Sequence, residues 1–166
     1  MQKITRIGTG RDSIPDPSTG LPRRISCEDP NTWIAEFGPE PEHVRSAARW
    51  LLRASEPPPV EPQPLLTALG ILHHNALQHT ASGLPGGTVR ISLTRKPFSY
   101  RLAVTDNGPR PGEPLTFPVP PENPDPGIGT GLHRLADLAL FWEWDGCAGG
   151  PLTVWGIFDR PPRPLI

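Results

Sequence analysis

Three short stretches of this sequence carry residue types that could do chemistry together. In the first, Asp106 ends an alternating run in which Tyr100, Leu102 and Val104 share its face. Those apolar companions turn the face inward, where a carboxylate is costly unless something hydrogen-bonds it. A ligand amino group would serve. So would a local turn, since Asp106-Asn107-Gly108 is common turn chemistry. The second stretch, Gly127-Ile128-Gly129-Thr130-Gly131-Leu132, stands directly before an amphipathic run. Glycines let backbone amides approach an anion, and a helix start offers free N–H groups, so the segment suits a phosphate. It is not a Walker loop, because no Gly-Lys-Ser/Thr follows, and it is a poor dinucleotide fingerprint, because a Pro-rich loop precedes it in place of a strand. A flexible hinge with Thr130 as N-cap is the competing reading. The third stretch is residues 73–80, His-His-Asn-Ala-Leu-Gln-His-Thr. The amide oxygen of Asn75 could ligate Mg2+, which favours oxygen ligands and phosphate bridging. His79, four residues on, lies on the same side of a helix. Three histidines also suggest zinc, but His73 and His74 diverge by about 100° on a helix, and no carboxylate or cysteine joins them.

The elements that must position these groups follow from periodicity. Residues 32–37 read as a strand. Residues 40–54 repeat apolar side chains at Val44, Ala47, Ala48 and Leu51, an amphipathic helix with Pro41 and Glu42 suited to its first turn. Residues 55–64, SEPPPVEPQP, cannot be helix interior and form a stiff connector. A second helix over 65–80 has Leu65, Leu69, Leu72 and Ala76 as its core stripe, with Asn75 at the edge. After a loop at 81–87, residues 88–94 and 100–105 alternate about a turn and make a hairpin. Residues 107–126 form a long Pro-rich loop. Residues 130–140 form a third helix with Leu132, Leu135, Ala136 and Ala139 on one face, and 141–144 with 152–158 form a closing pair of strands. The order β-α-α-β-β-loop-α-β-β predicts an α+β fold: a two-layer sandwich with a mixed, mostly antiparallel sheet and helices on one face. Residues 1–31 are polar and aperiodic and read as an extension, 32–160 as one domain, and 161–166 as a tail.

Composition narrows the function classes. The chain has 166 residues and a formal net charge of -1, without the basic footprint of a nucleic-acid binder. Cys27 and Cys147 have neither metal spacing nor the number for a disulfide framework, which suits a reducing compartment. No apolar run approaches the ~20 residues of a membrane span. The first residues lack the apolar stretch of a secretory signal. A cytoplasmic location is therefore expected.

Taken in order, the stretches HHNALQHTASGLPGGTVRISL, LAVTDNGPRPGEP and GIGTGLHRLADLALFWEW, with GGPLTVWGIF as a closing strand, resemble the N, G1 and G2 boxes of the GHKL (Bergerat-fold) ATPases. The likeness is greatest to the anti-sigma-factor serine kinases and covers residues 32–160. It implies ATP and Mg2+ as ligands, with Asn75 holding the metal, Asp106 accepting the adenine amino group and Gly108 shaping the base pocket. Gly129 and Gly131 would lie against the phosphates, and the intervening loop would be the ATP lid. The nucleotide-binding set is then Asn75, His79, Asp106, Gly108, Gly127, Gly129, Thr130, Gly131 and Leu132. The resemblance also implies a sigma factor or anti-sigma antagonist as protein partner in transcriptional or stress signalling, and homodimers are common in that family.

The chain departs from the family pattern twice. Where the family has a glutamate as general base, one turn before the Asn, this chain has Ile71. No Arg or Lys falls between Arg110 and Arg134, where kinases of this group carry an arginine for the terminal phosphate. Phosphoryl transfer depends on positioning and charge neutralisation. The expectation is thus a nucleotide-binding regulator with no assigned catalytic residue. An active serine/threonine kinase, with His73, His74 or Arg134 substituting, and a degenerate scaffold without nucleotide are the alternatives.

Overall fold

Alternation in four segments builds the centre of the sheet. In the computed structural model, which describes residues 20–55, 58–115, 117–123 and 130–165, the strands are β1 (Arg23–Ile25), β2 (Thr32–Phe37), β3 (Val89–Arg95), β4 (Ser99–Thr105), β5 (Phe141–Gly146) and β6 (Leu152–Asp159). They form one sheet in the order β1-β2-β3-β4-β6-β5. Every pairing is antiparallel, so the mixed sheet expected from sequence is corrected to a wholly antiparallel one. The register sets Phe37 beside Val89, Ile91 beside Val104, and Leu93 beside Leu102 on a single face.

The helices α1 (Pro41–Ala54), α2 (Gln63–His79) and α3 (Gly131–Leu138) cover that face. Ala47 and Leu51 of α1, Leu65, Leu69, Leu72 and Ala76 of α2, and Leu132 and Leu135 of α3 join Phe37, Ile91, Leu93, Leu102 and Phe158 in one core. Each fully buried Leu, Ile or Phe side chain contributes about 1.5–3 kcal/mol. The architecture is therefore α+β, a six-stranded antiparallel sheet with three helices against it.

Helix boundaries follow from local chemistry. Pro41 stands at the first turn of α1 with Glu42, where the missing N–H is harmless and negative charge is favoured, and Arg53 stands in the last turn. Buried Ser55 Oγ donates to the Leu51 carbonyl at 3.0 Å, satisfying one of the orphan acceptors at the C-terminus of α1. At the C-terminus of α2, Arg110 closes the end with two bonds, Nε to the Thr80 carbonyl and a terminal nitrogen to the Leu77 carbonyl, both at 3.0 Å. Thr80 also begins a single 3-10 turn at residues 81–83 by accepting from the Ser82 amide.

Two boundaries differ from the sequence reading. Arg23–Ile25, inside the segment read as an extension, pairs with β2 as an edge strand. Its anchor is Glu36, which is buried and takes Arg23 Nε at 2.8 Å and the Arg90 guanidinium at 2.9 Å. Burial pushes the Glu36 carboxyl up, but the hydrogen bonds from Arg90 and Arg23 outweigh it and hold the group below the usual range. The third helix is also shorter than expected, because Ala139 is already extended. Among the described residues no helix is long and apolar enough to cross a membrane.

Candidate functional site

The end of β4 determines the site. Asp106 continues the inward face of Tyr100, Leu102 and Val104 and is only 9% exposed. Its Oδ1 accepts from the Gly108 amide at 2.7 Å and from the Leu152 amide at 3.2 Å. Both bonds fall on one oxygen. Among the described residues Oδ2 accepts none, and it is not sealed from the neighbouring cavity. Burial pushes the carboxyl above its ordinary value, and the two backbone amides pull back against that shift. The turn reading and the ligand reading of Asp106 are thus both available at once, one on each oxygen.

Gly108 makes this arrangement sterically possible. Its φ is +86°, in the left-handed region that favours glycine, and a Cβ there would stand 3.1 Å from the Gly150 carbonyl carbon. Its carbonyl accepts from the Ala81 amide at 2.9 Å, tying the turn after β4 to the end of α2. Ser82 Oγ, fully buried, receives the Asn107 amide at 2.9 Å.

Beside Asp106 lies a cavity of about 290 Å3. This is near the lower end for small-ligand sites, about 300–1,000 Å3. Asn75, His79 and Thr80 of the α2 end, Asp106, and Gly131 and Leu132 of α3 all line it. The walls are otherwise apolar: Leu72 and Ala76 from α2, Val104 from β4, and Leu152 and Val154 from β6. Gly108 lines a narrow adjoining recess of about 20 Å3 that shares His79, Thr80 and Asp106. The described lining of the main cavity contains no Lys or Arg.

At the other end of the cavity stands the N-terminus of α3. The first intrahelical bond runs from the Arg134 amide to the Thr130 carbonyl at 3.0 Å. The amides of Gly131, Leu132 and His133 precede it and are the orphan donors of that end. Thr130 occupies the cap position without a side-chain cap bond. A Cβ on Gly131 would lie 3.1 Å from Ile71 Cγ2 and 3.8 Å from Asn75 Oδ1. Glycine therefore permits close approach between α3 and α2, with the Asn75 amide head beside the helix start. Ile71 packs its methyl group against that same point, so the position where a base would be needed is filled by hydrocarbon. Gly127 and Gly129 lie outside the described residues.

The loop after β4 folds over the cavity. Phe117, Pro118, Val119 and Pro121 line it. Phe117 stacks on Trp144 of β5 with ring centroids 5.2 Å apart, and the His133 ring bonds the Pro121 carbonyl at 2.8 Å. These four lining residues were not singled out by sequence reasoning, because a Pro-rich segment has no period to follow. Leu152 and Val154 were also missed, although their inward parity on β6 signals them.

The remaining histidines go elsewhere. His73 is fully buried, 6.2 Å from the Phe37 ring, and lines neither cavity; His74 is exposed. Arg134 is exposed and is not among the lining residues either. None of these three alternatives to the missing base or cation is brought into the cavity. No protein-family model and no curated protein sequence matches the chain.

Proposed function

We propose that the chain binds ATP with Mg2+ in this cavity, on a scaffold of the Bergerat type, and acts as a regulator through a protein partner. The observation that carries the reading is the convergence of Asn75, Asp106 and Gly131, from three separate stretches of sequence, on one apolar-walled cavity. The donor set fits the ligand. Asp106 Oδ2 is an acceptor for the exocyclic amino group of adenine. The apolar walls from α2, β4 and β6 suit the faces of a purine. The orphan amides of Gly131, Leu132 and His133 suit phosphate oxygens, and the Asn75 amide oxygen beside them suits a hard cation shared with phosphate. Mg2+ at such a site supplies charge neutralisation of the phosphates.

Ile71 favours holding nucleotide over turning it over. A general base must reach the proton it takes, and the side chain at this position is a hydrocarbon packed against Gly131. By the resemblance, the partner is a sigma factor or an anti-sigma antagonist, in cytoplasmic transcriptional or stress signalling. Isothermal calorimetry with ATP-Mg2+ and GTP-Mg2+ tests the site. The expected result is binding of ATP and much weaker binding of GTP, which lacks the amino group in the position Asp106 reads. No heat with millimolar ATP, or equal affinity for the two, overturns the reading.

A further inference from the structure

The sheet has a second face, away from the helices and independent of the nucleotide site. Strand registers lay out its rows. The central row runs Ile25, Ile34, Ser92, Ala103, Trp155, Glu143 from β1 to β5. A parallel row runs Arg23, Glu36, Arg90, Thr105, Thr153, Asp145. A third ends in Arg101, Ile157 and Phe141 on β4, β6 and β5. Charge is divided across the face. Arg23, Arg90 and Arg101 lie on the β1–β4 side with Glu36, whereas Glu143, Asp145 and Asp159 lie on the β5–β6 side. The Phe141 and Trp155 rings are 5.6 Å apart, Phe141 is 54% exposed, and Arg101 lies over Trp155 at 4.7 Å.

We infer that this face is the contact surface for a second copy of the same chain, related by a two-fold axis parallel to the strands. That operation puts β1 over β5, β2 over β6 and β3 over β4 of the partner copy. The rows then match themselves. Ile34 meets Trp155, Ser92 meets Ala103, and Arg23 meets Asp145. Small side chains at the centre let the two sheets approach to the ~10 Å spacing of stacked sheets. The positive half of each copy lies on the negative half of the other, which is the self-complementarity an isologous interface needs. The footprint is about 25 Å by 17 Å, from strand spacing and rise. That is the lower end of specific interfaces, so the dimer is reversible and concentration-dependent.

Sedimentation velocity of the full chain, from micromolar to several hundred micromolar, tests this together with hydroxyl-radical footprinting of Trp155 and Phe141 at both ends of that range. The expected result is a monomer–dimer equilibrium in which both aromatics gain protection as dimer accumulates. Ala103→Arg, which drives a long charged side chain through the centre, abolishes the dimer while the melting temperature stays near that of the parent. Ser92→Arg from the adjacent strand serves if the first variant fails to fold. Asp145→Arg weakens association, and Arg23→Asp in the same chain restores it. A monomer throughout overturns the inference, as does a dimer that a folded Ala103→Arg variant still forms. A dimer in which Trp155 and Phe141 gain no protection places the interface elsewhere and overturns it too. In a monomer, Trp155 protected equally at both concentrations would assign the face to another segment of the same chain.

Discussion

Lowering the pH from 7 to 5 should destabilise this fold by about 2 kcal/mol through one side chain, His73. The residue is fully buried on α2 between the sheet and α1, with Phe37 6.2 Å away, and neither ring nitrogen has a hydrogen-bond partner. Burial, with a smaller contribution from nearby His43, holds its pKa at about 4 against an ordinary 6.5. A lowered histidine pKa means that the neutral form is the folded one and that protonation favours unfolding. The stability is fully present above about pH 6.5 and falls as pH drops toward 4. Across that whole window the loss is about 3 kcal/mol, from 1.36 kcal/mol per pKa unit. Roughly 2 kcal/mol of it is gone by pH 5.

The carboxylates act lower or in the opposite sense. Glu36, whose pKa is lowered, gives up its stabilisation only below the ordinary carboxylate range. Asp106, whose pKa is raised, is favoured by acid. Both are shared by a His73→Leu variant, so the difference between the two proteins isolates the imidazole. Urea unfolding at pH 7 and pH 5 is the assay. The parent should lose about 2 kcal/mol and the variant little. At pH 7 the variant should be neutral or more stable, because removing buried, unbonded polar atoms is favourable. Equal losses in the two proteins would refute the reasoning and would mean that His73 is hydrated or bonded in solution.

Four further outcomes are expected. Asp106→Asn should fold, because its Oδ1 can still accept from Gly108 and Leu152, yet calorimetry should show ATP weakened by roughly 1.5–3 kcal/mol, since a donor then faces the cavity. Arg110→Ala should cost about 1–3 kcal/mol in chemical unfolding, by leaving the Leu77 and Thr80 carbonyls at the end of α2 unpartnered. Hydrogen exchange over residues 109–123 should slow when ATP-Mg2+ is added, as for a loop that closes on its ligand; unchanged exchange removes the lid role. Ile71→Glu should raise phosphate transfer to a cognate antagonist by up to about 10²–10⁴-fold if only the base is missing. Fast transfer by the unmutated chain would show that another residue serves as base.

Much of the architecture was legible because the central strands alternate and the helices carry stripes. Leu65, Leu69, Leu72 and Ala76 were readable as one buried face, and all four are in the core. The inward direction of Asp106 followed from its neighbours on β4. Strand direction was harder. Helices after a strand suggest a parallel return, but β2 is followed by two helices that run back and forth, so β3 re-enters antiparallel. β1 was invisible because Arg-Arg-Ile has no alternation of its own. It holds to the sheet through Arg23 and Glu36, thirteen residues apart. The order β4-β6-β5 was also beyond reach, since nothing in either closing strand says which one lies at the edge.

The cavity carries recognition without the usual means of driving transfer. Asp106 divides its work between two oxygens: one organises the turn by holding Gly108 and Leu152, and the other is left to the cavity. That arrangement fixes the carboxylate before any ligand arrives, so little ordering cost remains at binding. At the opposite end no such preparation is present. Ile71 gives hydrocarbon where a base is required, the described lining contributes no Lys or Arg, and Arg110 is committed to the α2 carbonyls. Transition-state charge in phosphoryl transfer must be met by groups already in place, whereas ground-state binding can draw on apolar contact and the single carboxylate. The residues present therefore favour holding a nucleotide over transferring its phosphate, which is the balance a regulator read by a partner protein requires.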